Sequence, residues 1–152
     1  MSVVTIAEQS GVALVTLNRP DANNALNRAL SEAIITTFTE LAGSTTVRAI
    51  VLTGAGRSFC AGVDLKALSD EPEMLSTGMG LGPDSPIVAA LEHCPQPIIG
   101  AINGAAVTGG FELALACDYL FASTHARFAD THARVGILPG WGLSQKLARI
   151  IG

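Results

Sequence analysis

The chain has 152 residues, 49% of them hydrophobic and 14% charged, with nine Lys+Arg against thirteen Asp+Glu and a net charge of −4. That length suits one domain able to bury a core without disulfides or metal, and the apolar, charge-poor balance excludes intrinsic disorder. No basic excess is left to grip a nucleic-acid backbone. Cys60, Cys94 and Cys117 are odd in number and lack a CxxC spacing, which argues against a disulfide framework or zinc ribbon and for a reducing cytoplasm. The first ten residues carry no basic-then-apolar signal pattern, and no uncharged apolar run approaches the ~18 residues that span a bilayer.

Residues 3–6 and 12–17 are β-rich runs whose separation by residues 8–11 predicts a hairpin. Asn18-Arg19-Pro20-Asp21 reads as a turn. From 26 to 42 the apolar residues recur every three or four positions, predicting a helix with Asn27 as its N-cap and Gly43 as its stop. Residues 49–52 form a continuous apolar run of strand length closed by Thr53-Gly54-Ala55-Gly56, as expected of a buried strand. The stretch 69–85, broken by Pro72, Gly78, Gly80, Gly82 and Pro83, reads as a mobile loop. A short helix over 87–93, a second buried strand over 98–102, a helix over 109–117, a third strand over 119–122 and a terminal helix over 144–151 complete the chain. Strands alternating with helices predict an α/β fold with βαβ crossovers, and no linker divides residues 1–152 into two domains.

Both central strands run into glycine-rich turns, Cys60-Ala61-Gly62-Val63-Asp64 and Asn103-Gly104 through Thr108-Gly109-Gly110. Ligands in open α/β sheets collect outside the carboxyl ends of strands, and a strand end beside a helix N-terminus can offer backbone N–H groups as an oxyanion hole. Taken alone, the glycines are better explained by tight turns. A P-loop is excluded because Phe111 and Glu112 stand where Lys-Ser/Thr is needed, and no nucleophile elbow is present. Glu112 lies in a helix apolar on nearly every face, which suits a general acid or base. A capping box headed by Thr108 would place the glutamate at 111 instead. His132, with His125 and Asp130, matches no zinc spacing and reads better as a surface or supporting histidine than as a metal ligand. Cys60 and Cys117 read as inert core thiols, and Trp141 as a packing or pocket-lining residue.

The combination Leu17-Asn18-Arg19-Pro20, Asn24-Ala25-Leu26, 48–54, Ser58 to Leu65, Ala101-Ile102-Asn103-Gly104, Gly109 to Ala114, Cys117-Asp118, Pro139-Gly140 and 147–152 resembles the crotonase superfamily, the enoyl-CoA hydratase/isomerase proteins, over the whole length. The resemblance implies a crotonase-like ββα spiral and an acyl-CoA thioester ligand, with no metal or separate cofactor, since CoA is part of the substrate. It implies that Val63 and Gly109 donate the oxyanion-hole N–H groups, Thr108 replacing the first glycine of the family's triplet. Asn24, Ala25, Leu26, Ala61, Asp64 and Leu65 match the stretches that hold CoA. Glu112 matches the first of the two glutamates that activate water, and ungapped alignment puts His132 where the second belongs. That departure leaves open hydration by a Glu112–His132 pair, Δ3-Δ2 isomerisation by Glu112 as sole base, or an inactive acyl-CoA-binding or assembly subunit. Family members continue into a helical region that covers the acyl pocket and builds a homotrimer or dimer of trimers. Residues 1–152 therefore read as a core domain lacking that region.

Overall fold

The computed structural model describes residues 2–73 and 84–152. The expected hairpin is β1 (Val4–Gln9) paired antiparallel with β2 (Val12–Leu17), turned by Ser10 and Gly11 at φ of 54° and 80°. Positive φ at both central residues matches the turn to the right-handed twist of the strands. Helix α1 (Arg28–Ala42) starts two residues later than its periodicity predicts, with the Asn27 side chain accepting from the Leu30 N–H at 3.0 Å. Leu26 is instead buried in an isolated bridge to Val63. Leu30, Ile34 and Phe38 of α1 are fully buried, each burial contributing ~1.5–3 kcal/mol.

The chain continues through β3 (Ala49–Gly54), β4 (Ser58–Cys60), α2 (Leu65–Asp70), α3 (Pro86–Glu92), β5 (Ile98–Ile102), β6 (Ala105–Val107), α4 (Gly109–Leu115), β7 (Tyr119–Ala122), β8 (Arg127–Ala129), α5 (His132–Val135) and α6 (Leu143–Ile151). The larger sheet has the order β1-β2-β3-β5-β7 and is parallel from β2 onward; the smaller, also parallel, is β4-β6-β8. From β3 on, each repeat therefore sends one strand to the large sheet and the next to the small one before a helix follows. This is the ββα arrangement that the resemblance implies.

Three sequence expectations change. Simple strand–helix alternation omits β4, β6 and β8, which occupy the segments read as glycine-rich turns or left unassigned. Three residues are too short to display a period. Strands β3 and β5 are not covered on both faces: Ile50, Leu52, Ile98 and Ile102 are buried while the intervening residues stay half-exposed. The stretch 69–85 begins inside α2, whose N-cap is Asp64, and residues 74–83 lie outside the described residues. Helix α4 is the most enclosed helix: all seven of its residues are buried, and it packs on β4, β6 and α6.

Candidate active site

Burial of α4 forces a solution for Glu112, since an unpartnered buried carboxylate is costly. Glu112 is 2% exposed, and its Oε1 accepts the backbone N–H groups of Trp141 at 2.8 Å and Leu143 at 3.2 Å. With Oε1 held there, Oε2 lies 3.3 Å from His132 Nε2. The His132 ring is also buried, and Asp130 Oδ1 stands 2.7 Å from its Nδ1 and accepts its backbone N–H at 3.0 Å. These two hydrogen bonds hold the Asp130 carboxyl below its usual range.

Glu112 and His132 face a cavity of about 60 Å³, room for a few water molecules. Ala61, Val63, Leu65, Thr108, Gly109, Thr131 and Trp141 also line it. The turns after β4 and β6 form one side of it, and the segment from Thr131 to Trp141 contributes the other. Gly62, at φ +88°, brings the two turns into backbone contact: a Cβ there would meet Val107 O at 2.7 Å and Gly109 N at 3.2 Å. Among the described residues, neither the Val63 nor the Gly109 N–H has a backbone acceptor. Thr108 holds the second turn at φ 53° and ψ −115°, a conformation that costs a β-branched residue ~1–3 kcal/mol. Its hydroxyl pairs with that of Thr131, which ties the start of α4 to the segment carrying His132.

A family model described as "Enoyl-CoA hydratase/isomerase" matches residues 7–152. The chain belongs to the enoyl-CoA hydratase/isomerase family. It is 50% identical over 145 residues to "Probable enoyl-CoA hydratase 1, peroxisomal" of Arabidopsis thaliana, covering 95% of this chain and 53% of that protein. Over 152 residues it is 39% identical to the 2,3-dehydroadipyl-CoA hydratase of Escherichia coli K12, covering 100% of this chain and 58% of the relative. The crystal structure of enoyl-CoA hydratase from Bacillus anthracis matches with a TM-score of 0.88 at 35% identity, over 99% of this chain and 58% of that one. The chain thus spans somewhat more than half the length of these relatives.

Within this member of the enoyl-CoA hydratase/isomerase family, the cavity gathers six of the ten residues singled out from the sequence: Ala61, Val63, Leu65, Gly109, Glu112 and His132. Asn24, Ala25, Leu26 and Asp64 stand behind that wall. The fully buried Asn24 amide donates to Ala55 O at 2.9 Å and Ser58 O at 2.8 Å, and its oxygen accepts from Arg19 N at 2.8 Å. Arg19 hydrogen-bonds Ala25 O and pairs with Asp64 at 3.1 Å, so this segment braces the turn that carries Val63. His125 lies in the exposed turn between β7 and β8. Burial pushes the Cys60 and Cys117 thiols up to about 12, in keeping with core residues. Sequence reasoning missed the roles of Asp130 and of the Trp141 and Leu143 N–H groups. The Asp-Thr-His spacing is a usable signal for Asp130, whereas every residue but proline offers an N–H.

Proposed function

We propose that the protein adds water across the double bond of a 2-enoyl-CoA thioester, as a hydro-lyase. The observation carrying this reading is the Glu112–His132 pair: a carboxylate with one oxygen held by backbone donors and the other 3.3 Å from an imidazole, facing a cavity with room for a water molecule. Glu112 Oε2 takes a proton from that water as its oxygen attacks the β-carbon. Charge developing on the thioester oxygen is stabilised by the Val63 and Gly109 N–H groups, each such donor being worth ~10²–10³ in rate. His132 delivers the proton to the α-carbon. Residues of the Asn24–Leu26 and Ala61–Leu65 stretches are proposed to hold CoA, the wall residues by direct contact and the others by bracing them.

The Arabidopsis and Escherichia coli relatives are both named as hydratases, which supports this reaction over isomerisation. A second reading, transfer of a proton along a 3-enoyl-CoA, is favoured by one observation: Glu112 is the sole carboxylate lining the cavity among the described residues. Incubating the purified protein with crotonyl-CoA and with a 3-enoyl-CoA, and following both products, decides between them. Hydration is expected, and Glu112→Gln is expected to slow it ~10²–10⁴-fold. Hydration surviving in Glu112→Gln at near wild-type rate refutes the mechanism. Isomerisation alone selects the second reading, and binding without turnover an acyl-CoA-binding subunit.

A homotrimer is proposed because Tyr119 and Phe121 on edge strand β7, and Ile150 and Ile151 on α6, are more than 60% exposed, an apolar surface of the kind that marks interfaces. The cytoplasm is proposed from the three free cysteines, and the Arabidopsis relative's name puts that protein in the peroxisome. Among the described residues, no helix is long and apolar enough to cross a membrane.

A further inference from the structure

Asp130 is half-exposed and adds nothing to the core, yet its Oδ1 is committed twice to one residue, accepting both the His132 backbone N–H and its ring Nδ1–H. A carboxylate only accepts, so this contact requires the hydrogen to sit on Nδ1. The other ring nitrogen, Nε2, then faces Glu112 Oε2 at the cavity. An exposed carboxylate, a buried imidazole and a buried carboxylate thus stand in line. We propose that Asp130 is a positioning residue, holding His132 with Nδ1 protonated so that Nε2 is the atom that gives a proton to the substrate and regains one from Glu112.

The proposal rests on the hydratase reading and completes its proton balance. The water oxygen bonds to the β-carbon as its proton passes to Glu112 Oε2, and the π pair moves toward the α-carbon and thioester oxygen. The Nε2–H proton of imidazolium His132 then bonds to the α-carbon. Glu112 returns its proton to Nε2, directly or through the next water, across 3.3 Å. One water is added, and both side chains end as they began. Throughout the neutral range Asp130 stays ionised, because its hydrogen bonds from His132 hold its carboxyl below the usual range. Among the described residues, Glu112 from α4 and Asp130 are the titratable groups within ion-pair distance of the His132 ring. On the neighbouring elements Arg134 of α5 and Lys66 of α2 are exposed, Arg127 of β8 donates to Thr124 O and Ala126 O, and Lys146 of α6 pairs with Glu92.

Asp130→Asn keeps an oxygen for the His132 N–H but removes the charge that stabilises imidazolium. The basic limb of the kcat/KM profile for crotonyl-CoA hydration is expected to move about one unit toward lower pH. On that limb kcat is expected to fall by up to about tenfold, the most a one-unit move allows, with KM within threefold because Asp130 does not line the cavity. Asp130→Glu is expected to recover part of the loss. A fall in rate with an unmoved limb overturns the proposal and leaves Asp130 a structural role. Should Asp130→Asn fail to fold, ¹⁵N-histidine NMR of the wild-type protein decides: neutral His132 must be the Nδ1–H tautomer, and the Nε2–H tautomer overturns the proposal. That spectrum is independent of turnover. A protein that does not hydrate crotonyl-CoA yet shows the Nδ1–H tautomer refutes the functional reading, not the Asp130–His132 linkage.

Discussion

Replacing Gly62 by alanine tests the claim that two backbone turns must touch for the site to exist. The residue sits at φ +88°, where an L-side chain costs ~1–2 kcal/mol. The new Cβ would lie 2.7 Å from Val107 O, where ordinary contact begins at 3.4 Å, so the two turns must part by about 0.7 Å. Overpacking of that kind costs ~1–3 kcal/mol, and alanine's stiffer unfolded chain returns ~0.4–1. The net expectation is a loss of about 2–4 kcal/mol, read from the urea-unfolding midpoint. Because Val63 and Gly109 stand on opposite turns, kcat/KM should fall by ~10²-fold or more at the same time. Gly136→Ala is the control, since φ there is +72° but nothing lies within 4 Å of the added Cβ. It isolates the backbone cost, ~1–2 kcal/mol, with no steric part. If Gly62→Ala costs no more than Gly136→Ala and keeps its activity within threefold, the turns are not held by contact and the argument fails.

Asn24→Ala strips partners from the Ala55 and Ser58 carbonyls and the Arg19 N–H, and puts alanine at φ 56°. A destabilisation of ~2–4 kcal/mol is expected in urea unfolding, and a change under 1 kcal/mol would mean that water replaces the amide freely. At pH 8 thiols pushed up to about 12 hold only ~10⁻⁴ thiolate, so Cys60 and Cys117 should resist alkylation while Cys94 reacts first. Mass spectrometry of timed samples checks the order, and early modification of Cys60 would contradict its burial.

Legibility in the sequence followed the length over which a physical signal repeats. Helix α1 shows four turns of apolar spacing, and β2, β3 and β5 show runs of five or six residues, so each was readable from its own residues. Strand β4 is Ser58-Phe59-Cys60, and its identity as a strand comes from pairing with β6, where Ser58 meets Ala105 and Cys60 meets Ala106. No local pattern encodes that partner. Within the site, Glu112 stood out because a charge among apolar neighbours is locally anomalous. His132 did not, since its pairing with Glu112 joins positions 20 residues apart and leaves no mark in the residues beside it.

The bonds from Trp141 and Leu143 to Glu112 Oε1 carry a consequence for the order of assembly. The carboxylate precedes those donors by 29 and 31 residues. While the chain is being made, α4 can settle on the small sheet before either donor to Oε1 exists, which leaves that oxygen to water. The segment from Trp141 to Leu143 then supplies both Oε1 donors, so the Glu112 carboxylate takes its final setting only when that segment docks. A nascent chain halted before residue 141 would carry every titratable member of the site and still lack its arrangement.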